Sequence, residues 1–162
     1  MRAWIASLEL AVLLGAMVAF NVPYLAETVV PKHDTWYVLQ IFHFFYNEGF
    51  FNGDVARWAP YGLYGVPTDY FRLAYLTPFN WLVALGGWLL KATDVLLLFK
   101  LSLLLEQAVF VTGIYLLARR LFAKASTRLM VGLAAAGSIV WYAQVLLNFR
   151  FFYLFPWVAW LL

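Results

Sequence analysis

The chain has 162 residues, of which 65% are hydrophobic, 20% aromatic and only 12% charged, with a formal net charge of +3. A soluble domain carries roughly 25% charged residues, so this composition excludes an ordinary soluble protein and predicts an all-α, polytopic transmembrane fold in contact with the lipid bilayer. The absence of cysteine excludes disulfides and thiolate metal sites. The few basic residues form no broad patch of the kind that binds nucleic acid.

The first predicted membrane span covers residues 3–22 and ends at Pro23. It is longer than the apolar part of a usual signal peptide, and no Ala-x-Ala-like cleavage site precedes Pro23, so we expect a retained anchor. Residues 23–93 follow as a large first loop, which is too polar and too interrupted to cross the bilayer.

Two helices are predicted within this loop, at residues 34–48 and 79–90, and both are expected to lie along the membrane interface. The first is amphipathic, and its apolar side is expected either in lipid or against other helices of the same protein. Gly49, Gly53 and Pro60 are expected to end it. The second, with about 12 residues, covers roughly 18 Å and is too short to span.

Three further spans are predicted at about residues 95–118, 129–147 and from 151 to 162 onward. Thr93 and Asp94 supply an N-cap signal for the first of these. Because the sequence stops inside an apolar run, we expect the single transmembrane module of residues 1–162 to be the N-terminal part of a longer protein.

The placement of basic residues predicts the membrane topology. If residues 79–90 do not cross, one side of the membrane holds five basic residues and no acidic one: Arg2, Arg119, Arg120, Lys124 and Arg128. The positive-inside rule makes that side cytoplasmic, together with the N-terminus. The loop of residues 23–93 and Arg150 are then expected on the outer side.

The outer loop contains residues suited to chemistry on a lipid-borne substrate. A carboxylate such as Asp34 can act as a base or a metal ligand. Arg57 and Arg72 of this loop, and Arg150 on the same side of the membrane, can hold a phosphate bidentately. Each has a structural alternative as well. Asp34 is equally suited to cap the helix that follows it, and Asp54 is equally suited to pair with Arg57 across a turn.

The order of these elements resembles the N-terminal module of the GT-C-fold membrane glycosyltransferases, which use polyprenyl-phosphate-linked sugars. The resemblance covers nearly the whole chain, beginning with the first span and the outer loop that opens on His33 and Asp34. Residues 57–60, Arg-Trp-Ala-Pro, and residues 65–67, Gly-Val-Pro, look like the family's Trp-x-Pro…Gly-x-Pro stretch. The span that closes on residues 117–122, Leu-Ala-Arg-Arg-Leu-Phe, looks like the family's second span.

The resemblance implies a transferase of the bacterial or archaeal plasma membrane, with a lipid-linked sugar donor as partner. It places the catalytic carboxylate at Asp34, where a divalent cation, Mg²⁺ or Mn²⁺, would bind if the enzyme uses one. The substrate-binding residues that we expect are His33, Asp54, Arg57, Trp58, Arg72 and Arg150.

Three charged residues lie inside predicted spans, where an ionisable side chain is by default a functional-site hypothesis. Lys100 is able to snorkel toward the interface, and Glu9 is expected to lie near enough to the cytoplasmic end to reach water. Glu106 must pair with another helix or be protonated. A transporter or flippase that uses Glu106 is therefore one alternative function, and a non-catalytic membrane subunit whose outer loop binds a partner is another.

Overall fold

The structure, a computed structural model, describes residues 2–26, 34–51, 58–59, 66–67, 76–138 and 153–162. They belong to two compact units. The first unit comprises Met1–Ala26, Leu104–Ala143 and Phe151–Leu162, and the second comprises Glu27–Leu103 and Gln144–Arg150.

The described residues are mainly helical, which confirms the all-α expectation. In chain order the helices are α1 (Arg2–Leu25), α2 (Asp34–Phe45), a π-helix (Tyr46–Phe51), α3 (Pro78–Leu89), α4 (Val95–Leu121), α5 (Ala125–Ala136) and α6 (Phe155–Leu161). Two short strands, β1 (Trp58–Ala59) and β2 (Val66–Pro67), pair antiparallel.

Among the described residues, two helices are long and apolar enough to cross a bilayer. They are Ser7–Leu25 within α1, with a mean hydropathy of 1.7, and α4, with 1.9. α1 continues two residues past Pro23, and α4 begins where Asp94 caps it, since the Asp94 carboxylate accepts a 2.9 Å hydrogen bond from Leu97 N–H.

The later helices begin and end differently from the predicted spans. α5 begins at Ala125, before the predicted start at Leu129, and residues 139–147 of that predicted span lie outside the described residues. α6 begins at Phe155, with Pro156 in its first turn. Proline is tolerated there because the first turn of a helix has no internal partner for its N–H.

Three helices of the first unit pack around one apolar layer. α1 runs antiparallel to α4, because Glu9 contacts Tyr115 while Asn21 contacts Gln107. α1 runs parallel to α5. The buried side chains between them are Leu13, Met17, Val111, Tyr115 and Ala136.

A glycine allows α1 and α5 to approach closely. A Cβ atom added to Gly132 would lie only 2.5 Å from Leu13 Cδ1 and 2.7 Å from Leu13 Cδ2. Small residues at such crossings are the common way to pack helices in membranes. Gly113 of α4 likewise allows Trp157 of α6 to pack closely against it. The Trp157 indole N–H donates a hydrogen bond to Val109 O at 2.9 Å.

In the second unit, α2 packs its aromatic face on the protein. Phe42 lies 5.7 Å from Phe99 of α4, and Phe45 lies 6.4 Å from Trp81 of α3, measured between ring centroids. Phe42, Phe45 and Tyr46 are all buried. Of the two arrangements that the sequence left open for α2, packing against other helices is therefore the one observed.

α3 shows the opposite behaviour. Its small and polar residues, Asn80, Ala84 and Gly87, face the protein. Its other face exposes a continuous apolar stripe at helical spacing: Trp81, Leu82, Leu85, Trp88 and Leu89. With 12 residues, α3 has the length that the sequence predicted for a helix that does not span.

Candidate functional site

Asp34 is the first residue of α2, so the predicted start of this helix is confirmed. The helix does not end at Gly49 as predicted, because it continues as a π-helix to Phe51. π-helices are rare and occur frequently at functional sites. No sequence pattern marks this one, and the sequence reasoning missed it.

The pairing of β1 with β2 joins two sequence motifs. Trp58 lies opposite Pro67, and Ala59 lies opposite Val66. Two residues of the Arg-Trp-Ala-Pro stretch therefore pair with two residues of the Gly-Val-Pro stretch, although the paired positions lie nine and seven residues apart in the sequence. Of the predicted substrate-binding residues, Trp58 is the one whose backbone the structure describes.

The other predicted site residues are not placed by the structure. His33, Asp54, Arg57, Arg72 and Arg150 lie outside the described residues, as do the side chains of Asp34 and Trp58. Within the part that is described, no group of three or more His, Asp or Glu side chains could hold a metal ion.

A polar network lies between the start of α3 and α4. The Asn80 carbonyl oxygen accepts hydrogen bonds from Thr77 N–H at 2.9 Å and from the Thr77 hydroxyl at 3.1 Å. The Asn80 amide donates to the Ser102 hydroxyl at 2.7 Å, which donates in turn to Phe99 O at 2.7 Å. Thr77, Asn80 and Ser102 are all buried, so this network fixes α3 on α4.

A small pocket lies against this network, walled by α2, the π-helix and α3. Its lining residues are Phe42, Phe45, Tyr46, Leu76, Asn80, Trp81 and Ala84, and its volume is about 10 Å³. That is room for about one water molecule. Four of the lining side chains are aromatic, but they enclose no space for a sugar or an acyl chain in this conformation.

The π-helix begins with a buried tyrosine and continues with polar groups near the surface. Burial raises the pKa of the Tyr46 hydroxyl, which therefore stays protonated and donates to Ala92 O at 2.7 Å. One helical turn apart, the Asn47 amide nitrogen lies 3.2 Å from His43 Nε2. His43 is exposed, whereas Asn47 and Glu48 are partly buried.

Glu9 is part of a buried ion pair in the first unit. The Arg128 guanidinium donates to both carboxylate oxygens, with Nη2 2.6 Å from Oε1 and Nε 3.0 Å from Oε2. The Tyr115 hydroxyl donates to Oε2 at 3.1 Å. Glu9 is only 7% exposed, so the expectation that it reaches water is wrong, because Arg128 satisfies its charge inside the protein.

A second polar contact ties the same three helices together nearer the other end of α1. The Asn21 amide donates to Gln107 Oε1 at 2.8 Å, and the Gln107 amide donates to Ala136 O at 2.8 Å. Asn21 and Gln107 are both buried. Sequence reasoning did not single out either residue, although a polar amide inside an apolar run was the available signal.

Glu106 and Lys100, the charged residues in the middle of α4, are fully buried, with 0% and 1% of their surfaces exposed. The outward snorkelling that the sequence allowed for Lys100 therefore does not occur. Glu106 is held inside the first unit, and its pairing with another helix or its protonation stays a prediction.

Comparison of the chain with protein families, with curated proteins and with solved structures finds no match. The function is therefore argued from the residues and contacts described above.

Proposed function

We propose that this chain is the N-terminal module of a membrane glycosyltransferase, which moves a sugar from a polyprenyl-phosphate carrier to an acceptor on the outer face of the membrane. The observation that carries the proposal is the pairing of β1 with β2. It sets Trp58 opposite Pro67, so that the two halves of the Trp-x-Pro…Gly-x-Pro stretch are paired. The start of α2 at Asp34 supports it further, since the residue proposed as catalytic is the first residue of a helix.

The packing of the first unit supports the membrane topology of this proposal. The chain leaves the unit after Ala26 and returns at Leu104. Both points lie at the end of the bundle where Asn21 contacts Gln107. Arg119, Arg120 and Lys124 lie at the opposite end, beyond Tyr115. The positive-inside rule makes that end cytoplasmic, and the intervening outer segment needs no further crossing.

In the proposed reaction, Asp34 accepts the proton of the acceptor hydroxyl as its oxygen attacks the anomeric carbon of the sugar. The bond between that carbon and the carrier phosphate oxygen breaks, and polyprenyl phosphate leaves with the electron pair. Arg57, with Arg72 and Arg150, would hold the phosphate and stabilise the charge that develops on it.

The test separates catalysis by Asp34 from helix capping. Asparagine caps a helix about as well as aspartate does, whereas alanine does not. In the protein expressed from its full reading frame, we expect Asp34→Asn to fold normally and to lower transfer by roughly 10²-fold or more. Asp94→Asn, the same change at the cap of α4, is the matched control and should transfer normally.

The assay is the release of polyprenyl phosphate from a panel of labelled polyprenyl-phosphate hexoses and pentoses in proteoliposomes. If Asp34→Asn transfers the sugar at the wild-type rate, Asp34 serves only as a helix cap and takes no part in catalysis. Failure of the wild type with every donor in the panel would count against the transferase itself.

The topology is open to a separate test, because the chain contains no cysteine. A single cysteine at Lys124 or at Thr93, both exposed, will react with an impermeant maleimide only when it faces outward. In intact cells we expect Thr93→Cys to be labelled and Lys124→Cys to be protected. The reverse pattern would place Asp34 on the cytoplasmic side and refute the proposal.

Transport is the second candidate, and the full burial of Glu106 in a helix of membrane-spanning length favours it. Coupled uptake of a solute that is lost in Glu106→Gln but retained in Asp34→Asn would establish this function in place of transfer.

A further inference from the structure

The end of the first unit that contains the α4–α5 connection has an unbalanced positive surface. The first unit contains two acidic residues, Glu9 and Glu106, and both are buried. Arg119 and Arg120, in the last turn of α4, and Lys124, in the connection, are all exposed. The described surface of this unit therefore offers cations with no acidic side chain beside them.

The buried ion pair leaves this surface charge in place. Glu9 lies at the same end, but its two carboxylate oxygens are bonded by Arg128 and Tyr115. The Arg119 guanidinium lies 5.9 Å from the centroid of the Tyr115 ring. Arg120 uses one nitrogen to donate to Trp160 O, and a guanidinium has four further N–H donors.

The connection between α4 and α5, which contains Lys124, is held in place by Arg128. Arg128 Nη1 donates to Ala123 O at 2.6 Å and to Phe122 O at 3.3 Å. A surface that is ordered before its ligand arrives loses less conformational entropy on binding. Arg128 is thus a positioning residue, since one guanidinium joins α1 to the α4–α5 connection.

Exposed apolar side chains adjoin the cations. Leu121 is 65% exposed, Phe122 39% and Met130 71%. A free phosphate makes no contact with apolar side chains. A phospholipid has a phosphate, which the cations can bind, and acyl chains, which the apolar side chains can contact. Clusters of Lys and Arg directly next to a membrane-spanning helix are the kind of site that binds anionic lipids.

We propose that this end of the first unit binds an anionic phospholipid of the bilayer, with Arg119 and Lys124 contacting the phosphate and Leu121 and Phe122 contacting the acyl region. The site is independent of the proposed transferase chemistry, because it includes none of the residues assigned to transfer.

The test uses the full protein purified in mild detergent, to which phosphatidylglycerol or phosphatidylcholine is added at equal concentration. We expect phosphatidylglycerol to raise the thermal unfolding temperature of the wild type, because a ligand of the folded state stabilises it. Phosphatidylcholine and inorganic phosphate at the same concentration should leave it unchanged. High salt should weaken the effect.

Substitution identifies the residues. Each Lys or Arg contributes about a fivefold factor in affinity near an anionic surface, so Arg119→Gln/Lys124→Gln should bind phosphatidylglycerol about 25-fold more weakly. Lys91→Gln removes an exposed charge from the second unit and should bind as the wild type does. If the double variant does not fold, Lys124→Gln alone should bind about fivefold more weakly.

Three outcomes of the lipid-binding test would overturn the proposal. They are wild-type binding by Arg119→Gln/Lys124→Gln, an equal response to phosphatidylcholine, and stabilisation by inorganic phosphate alone. Retention of a protein partner in place of lipid, lost in the same double variant, would also overturn it and identify the surface as a protein interface.

Discussion

Replacing Gly132 by alanine should destabilise the first unit, whereas the same replacement at Gly15 should not. Both glycines lie inside helices, so each substitution gains about 0.5–1 kcal/mol from the lower flexibility of alanine. At Gly15 the new methyl group meets nothing within 4 Å. At Gly132 it would lie 2.5 Å from Leu13 Cδ1, so the Leu13 side chain, which is fully buried, would have to shift.

The expected magnitude comes from the difference between the two variants, in which the helix-propensity gain cancels. Overpacking a well-packed core costs about 1–3 kcal/mol, so Gly132→Ala should be less stable than Gly15→Ala by that amount. Unfolding by sodium dodecyl sulfate in mixed micelles, followed by tryptophan fluorescence, measures both. In a Leu13→Ala background the clash is absent, and Gly132→Ala should then cost nothing.

Equal stability of Gly132→Ala and Gly15→Ala would refute this reasoning, because it would mean that α1 and α5 do not approach closely at this point. A clash cost that persisted in the Leu13→Ala background would show that another neighbour of Gly132 is responsible.

Two further predictions concern hydrogen bonds of α4. Gln107→Leu removes one of the two acceptors of the buried Asn21 amide, which keeps only its bond to Met17 O, so the free energy of unfolding should fall by about 1–3 kcal/mol. Adding Asn21→Leu should recover part of the loss, and a strictly additive double variant would contradict a direct contact. At the cap of α4, Asp94→Ala should cost about 0.5–2 kcal/mol and Asp94→Asn almost nothing. Equal losses in the two unfolding curves would show that the carboxylate charge matters and the cap does not.

The long helices could be predicted from the sequence because their signals are local. Apolar runs of membrane-spanning length fixed α1 and α4, and the arginines at 119 and 120 marked the end of α4. The short helix predicted at residues 79–90 is observed as Pro78–Leu89, since Thr77 and Pro78 form a local start signal.

The packing of α2 depended on information that the local pattern does not contain. Its amphipathic pattern fits an apolar face turned to lipid or to protein equally well. The aromatic face of α2 packs on protein because Phe99 and Trp81, which lie on other helices, contact Phe42 and Phe45. The π-helix after Phe45 could not be predicted either, because the change from one helix type to another leaves no mark in the spacing of apolar residues.

The ion pair between Glu9 and Arg128 could not be predicted from the sequence for a different reason. Arg128 lies 119 positions further along the chain and was assigned to a cluster of exposed cytoplasmic cations. Both residues were predicted near the cytoplasmic side of the membrane, but no sequence pattern indicated that they meet. Only the parallel packing of α1 and α5, which a local pattern does not encode, brings the guanidinium to the carboxylate.

These polar contacts decide how the helices of the first unit fit together. Between apolar helices in lipid there is little hydrophobic driving force, so small residues and hydrogen bonds set their order and register. Glu9 and Asn21 stand 12 positions apart on α1, which is about 18 Å along a helix. Sliding α1 by one turn would break both contacts at once and push Leu13 away from Gly132. A carboxylate used in this way is explained by the fold, and Glu9 needs no role in transport to account for its place inside a span.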